Sequence, residues 1–105
     1  MQLVRTSPFT KAITKLNVTD DELADLETEI ATNPQAGDVI QGLKGVRKIR
    51  FAMGGKGKRG GGRCIYVVLA IEDSIYLLLA YGKSKQTDLS QKQRKDILAF
   101  IEELE

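Results

Sequence analysis

Lys48, Arg50 and Arg63 are the side chains in this chain whose types and spacing best suit chemistry on a phosphate. Lys48 and Arg50 alternate with the apolar Ile49 and Phe51, so a strand here projects both cations from one face. Arg63 opens the next strand-like run and can face the same region. An arginine offers a phosphate two parallel donors, and cations crowded around a lysine depress its pKa, so that more of the amine is unprotonated and able to serve as a base. The three belong to the stretch Lys44–Arg63, which carries half of the 16 Lys and Arg residues and no Asp or Glu. The net charge is only +2, so the positive field is concentrated rather than spread, as it is on proteins that meet phosphate-bearing partners.

Lys44, Arg47, Lys56, Lys58 and Arg59 complete that stretch and are expected to track a nucleic-acid backbone. After the last apolar run comes Tyr81-Gly-Lys-Ser-Lys. Lys83 and Lys85 at that strand end can join the cluster, and Tyr81 can stack on a base. Each of these has a plainer alternative: the lysines as a solvated loop, the tyrosine as packing, and the Gly-rich loop as a solubilising hairpin tip. Gly55-Lys-Gly57-Lys-Arg-Gly60 spells G-x-G-x-x-G but leads into a strand instead of opening a helix, which excludes a dinucleotide fingerprint. No Gly-Lys-Ser/Thr follows, so it is no P-loop either.

The absences narrow the chemistry further. The chain has no His and a single Cys, Cys64, so a Ser-His-Asp triad, an imidazole base and a zinc site are excluded. Its carboxylates fall in helical surface patterns away from the basic stretch in sequence, which argues against a magnesium nuclease built on an acidic cluster. No metal and no cofactor are expected. Cys64 lies in an apolar run and reads as a buried thiol in a reducing compartment. No apolar segment suits a signal peptide or a membrane span, so a cytoplasmic protein with no membrane partner is expected.

The elements that must position these residues follow from periodicity. Gln2 to Thr6 reads as a strand, and Ser7-Pro8 as the start of a helix with Ser7 as its cap and the stripe Phe9, Ala12, Ile13, Leu16. Thr19-Asp-Asp-Glu22 is a capping box before Leu23, Leu26 and Ile30, and Asn33-Pro34 stops that helix. Residues 35–45 read as a loop. Strands are expected around 48–53, over 63–71 and over 75–81, with a turn at Glu72-Asp73-Ser74. Ser90-Gln-Lys-Gln93 is a second capping box, opening a last helix with Ile97, Leu98, Ile101 and Leu104 as its stripe. The order β-α-α-β-β-β-α predicts one α+β domain over 1–105: a mainly antiparallel sheet, two N-terminal helices and a C-terminal helix.

Five segments taken together resemble the HigB branch of the RelE toxin superfamily. They are Gly-Asp-Val-Ile-Gln-Gly (37–42), Gly-Val-Arg-Lys-Ile-Arg (45–50), Gly-Lys-Gly-Lys-Arg-Gly-Gly-Gly-Arg-Cys-Ile-Tyr (55–66), Ile-Tyr-Leu-Leu-Leu-Ala-Tyr-Gly-Lys (75–83) and Asp-Leu-Ser-Gln-Lys-Gln-Arg (88–94). The resemblance implies the microbial RNase fold of that superfamily and a bacterial toxin that cleaves mRNA on the translating ribosome. It also implies silencing by a small cognate antitoxin, expected to carry a helix-turn-helix domain, with DNA reached only through the antitoxin complex. By position it carries over Lys48, Arg50 and Arg63 as cleavage residues, with Lys83 or Lys85 as the further cation after the last strand. The tyrosine that some members have before the last helix is absent here, where Thr87-Asp88-Leu89 stands. The expected roles are Lys48 as base, Arg63 as transition-state clamp, and Arg50 with Lys83 as phosphate positioners. Two rival functions remain at this level: a translation inhibitor that binds RNA without cutting, and an inactive relative serving as antitoxin-bound corepressor.

Overall fold

A computed structural model describes residues 1–55, 57 and 61–104. The sheet has five strands in the order β1-β5-β4-β3-β2. They are β1 (Gln2–Arg5), β2 (Asp38–Val39), β3 (Arg47–Phe51), β4 (Gly62–Leu69) and β5 (Ser74–Gly82), with helices α1 (Ser7–Lys15), α2 (Asp20–Thr32) and α3 (Gln91–Leu104). All neighbours pair antiparallel except β1, which lies parallel to β5 at the edge. This is the expected α+β architecture, with one addition: Asp38–Val39, read as loop from sequence, pairs with Arg47 and Lys48. A two-residue strand is too short to carry a period of its own.

Both faces of the sheet are covered. Phe9 and Ile13 of α1 and Leu26 and Ile30 of α2 pack with Ile49, Phe51, Cys64, Tyr66, Ile75, Leu77 and Ala80 on one face. Ile97 and Ile101 of α3, together with Leu43, Val46 and Leu89, cover Ile65, Val67, Leu78 and Tyr81 on the other. Two-sided burial explains why β4 and β5 read as near-continuous apolar runs. Cys64 is fully buried, and burial pushes its thiol well above the ordinary range, so it is an inert core residue.

Both capping boxes form. Thr19 Oγ1 accepts from Glu22 N at 3.1 Å and Glu22 returns the bond to Thr19 N at 3.0 Å; Ser90 and Gln93 repeat the exchange at 3.1 and 2.9 Å. The cap of α1 is Thr6 rather than Ser7. The Thr6 hydroxyl accepts from Phe9 N at 3.4 Å and donates to Leu77 O at 2.8 Å, so tertiary bonding to β5 selects it over the neighbouring serine.

The link between α2 and β3 is fastened by polar groups the sequence does not advertise. Tyr66 is fully buried, and its hydroxyl donates to Pro34 O at 2.8 Å while accepting from Gly37 N at 2.9 Å. Arg47 Nη1 donates to Gly37 O at 2.8 Å and to Gln35 O at 3.3 Å. A Cβ on residue 37 would lie 2.9 Å from the Tyr66 hydroxyl, which explains the glycine. Tyr66→Phe orphans the Gly37 N–H, so urea denaturation is expected to show a loss of about 1–3 kcal/mol with an unchanged slope.

Candidate functional site

Cross-strand partners share a face, so the register decides which side chains meet. Arg50 lies opposite Arg63, and Arg63 lies opposite Tyr81. Lys48, Ile65 and Leu79 form the adjacent row. Ile65 and Tyr81 belong to the cluster under α3, so both rows lie on the α3 face. The alternation read from sequence at Lys48 and Arg50 therefore holds, and Arg63 joins them. Lys83 stands at the same end of the sheet, with its backbone N–H donating to Gly61 O at 3.1 Å.

Tyr81 reaches this face through a β-bulge. Tyr66 pairs with Leu77 but Ile65 pairs with Leu79, leaving Leu78 as an extra residue in β5. Alternation from Ile75 and Leu77, which face α1 and α2, would otherwise carry Tyr81 to that side; the bulge moves Ala80 there instead and turns Tyr81 toward Arg63. Thr6 holds the bulge, its hydroxyl 2.8 Å from Leu77 O and 3.3 Å from Leu78 O, and its N–H 3.1 Å from Leu77 O.

The cations of the cluster differ in exposure. Arg50 and Lys83 are exposed and Lys48 is half-buried, whereas Arg63 is 8% exposed, with Nη1 donating to Gly62 O at 3.0 Å. The Arg63 head thus lies within the row rather than reaching into solvent. Asp38 is exposed and directly opposite Lys48. This carboxylate beside the cationic row is hidden in the sequence, because only the short β2 pairing brings it there.

Several expected binding residues land elsewhere. Arg47 has the parity of Ile49 and its guanidinium is engaged with the Gln35–Gly37 backbone, so it braces the loop instead of facing the cluster. The Tyr81 ring is buried in the α3 core at 5% exposure, which offers no open face for base stacking. Lys44 is exposed in the turn whose Leu43 and Val46 anchor under α3, and that loop is tied to α3 by Arg94 Nη2 on Gln41 O at 2.9 Å. Lys85 is exposed in the turn after β5, its N–H bonded to Gly82 O at 3.1 Å. Lys56, Lys58 and Arg59 lie outside the described residues.

Among the described residues, no three His, Cys, Asp or Glu side chains gather in a metal-binding arrangement, and no helix is long and apolar enough to cross a membrane. What the α3 face presents is positive charge with forked donors, which suits a phosphodiester.

The family model for the RelE toxin of the RelE/RelB toxin–antitoxin system matches residues 1–104. The chain belongs to the RelE toxin family. The fold agrees: a double arginine-to-alanine variant of E. coli toxin RelE in the free state superposes with a TM-score of 0.59, covering 95% of this chain and 96% of that one at 13% identity. Family membership brings an antitoxin partner with it.

Proposed function

We propose that this chain is a HigB-like, ribosome-dependent mRNA endoribonuclease whose cutting arrests translation and whose cognate antitoxin silences it. Family membership supports a toxin, and one observation carries the chemistry: Arg50 and Arg63 stand opposite one another with Lys48 beside them on the same face. The 2′-OH attacks the adjacent phosphorus, forming the 2′-O–P bond and breaking the P–O5′ bond. The 2′ proton passes to a base, a proton is delivered to the leaving 5′ oxygen, and the products carry a 2′,3′-cyclic phosphate and a 5′-hydroxyl. In this scheme Lys48 is the base, Arg63 stabilises the charge of the transition state, and Arg50 with Lys83 holds the phosphate. Lys44, Lys85 and, from the Gly-rich stretch of the sequence, Lys56, Lys58 and Arg59 supply sequence-independent attraction to the RNA backbone. The reaction needs no metal or cofactor. It takes place in the bacterial cytoplasm, where ribosomes are, and an antitoxin with a helix-turn-helix domain provides the link to DNA.

Inducing the protein in a bacterial culture and mapping transcript 5′ ends tests this directly. New 5′-hydroxyl ends inside reading frames, lost when the antitoxin gene is co-expressed, are expected. Arrest without new ends makes the protein a non-cutting inhibitor, and undisturbed growth makes it an inactive relative. Replacing Asp38, Glu72, Asp73 and Asp88 singly by the matching amide is expected to leave cutting in place. Asp38 is the decisive one because it faces Lys48; abolished cutting by a folded Asp38→Asn protein makes a carboxylate mechanism the better account.

A further inference from the structure

Tyr81 is 5% exposed, and among the described residues its hydroxyl is buried with no hydrogen-bond partner. A buried phenol without a partner costs stability, and such an atom in a native protein calls for an explanation. Packing alone does not supply one, since phenylalanine fills the same space. The buried hydroxyl of Tyr66 makes the contrast: it is satisfied on both sides, by Pro34 and Gly37. Tyr81 is also turned toward the cationic row by a bulge that a regular strand would not have, directly opposite Arg63.

We propose that the Tyr81 hydroxyl is a phosphate donor of the cleavage site: when RNA enters, it donates a hydrogen bond to one non-bridging oxygen of the scissile phosphate, beside the Arg63 guanidinium. This rests on reading the row as a nuclease site. The phenol works as a neutral donor, not as a base. Burial, and then the Asp88 carboxylate, hold its proton more tightly than usual, only partly offset by Arg63. The hydroxyl and Arg63 are both covered in the resting chain, where Leu89 packs in the same cluster as the ring. Leu89 belongs to the connection between β5 and α3, which therefore has to yield for RNA to reach the hydroxyl. The role differs from stacking, which the buried ring does not permit.

The test uses the full chain and ribosomes programmed with a defined mRNA carrying either phosphorothioate diastereomer at the cut. Tyr81→Phe is expected to slow single-turnover cutting about tenfold, with ribosome affinity unchanged and the thermal midpoint equal to or above the parent's. One diastereomer is expected to slow the parent and to have no extra effect on the Phe variant, because the contact is already gone. The alkaline limb of the pH–rate profile is expected to be the same in both proteins. Equal cutting by the two proteins overturns the phenol contact and leaves the nuclease reading intact. A lower thermal midpoint, or a thio effect of equal size in both proteins, also overturns it by making the hydroxyl structural. A parent that cuts nothing overturns the nuclease reading itself.

Discussion

Arg63→Ala is expected to fold, to stay on ribosomes, and to cut mRNA at least a hundredfold more slowly than the parent. Charge builds on the equatorial oxygens as phosphorus becomes five-coordinate, and a guanidinium brought against those oxygens offsets that charge. Loss of one such donor costs about 3–4 kcal/mol of transition-state stabilisation, or roughly 10²–10³ in rate. Arg63 is the member of the row most able to supply it. It is held between Arg50 and Tyr81 in register and lies at 8% exposure, where solvent screens its field least. Arg50 on the outer side is exposed, so its loss is expected to cost less. Burial also means that an alanine leaves a gap, and Arg63→Met separates the two effects by filling the volume of the stem without charge or donors. Thermal melts report folding, sedimentation reports ribosome binding, and single-turnover cutting reports chemistry. A folded Arg63→Met protein that cuts at near the parent rate sinks the site and the mechanism built on it.

The parts of this architecture that could be read from sequence are those written in local patterns. Both capping boxes, the stripes of α1, α2 and α3 and the alternation at Lys48–Phe51 depend on residues within a turn or two of each other, and all appear where expected. The parts that could not be read depend on partners distant in sequence. Leu78 looks like any other residue in an apolar run, yet the register against Ile65 and Tyr66 makes it the bulge residue that decides which way Tyr81 points. Thr6 wins over Ser7 as a cap because Leu77 O lies within reach, a contact across 71 positions. Arg47 looks as basic as Arg50, but its parity and the loop carbonyls of Gln35 and Gly37 give it a bracing role. Asp38 reached the cationic row through a two-residue pairing. The candidate site was thus legible as a composition, and the pairing of the sheet decided its membership.

Gly61→Ala is expected to disable cutting at least tenfold while removing no chemical group from the site. Residue 61 stands just before Gly62, which pairs with Phe51 and Gly82. A Cβ there would collide with the Phe51 carbonyl oxygen, lie 2.7 Å from Gly57 O and 3.0 Å from Met53 N. All three are backbone atoms, so no side chain can swing aside; the strand end itself has to shift. The Gly61 carbonyl also accepts from Lys83 N at 3.1 Å, so the shift is passed to the Lys83 end of β5 and to Arg63 two residues on. Overpacking of this kind costs about 1–3 kcal/mol, and a displacement of order 1 Å in a phosphate clamp costs about 10²-fold in rate. Gly45→Ala is the matched control, because its φ of +90° strains an alanine while nothing lies within 4 Å of the added methyl. That substitution is expected to lose about 1 kcal/mol and to keep its cutting rate. Denaturant melts and single-turnover cutting on both proteins separate loss of stability from loss of geometry. If Gly61→Ala and Gly45→Ala lose the same stability and both cut normally, the strand end at Gly61 does not position Arg63.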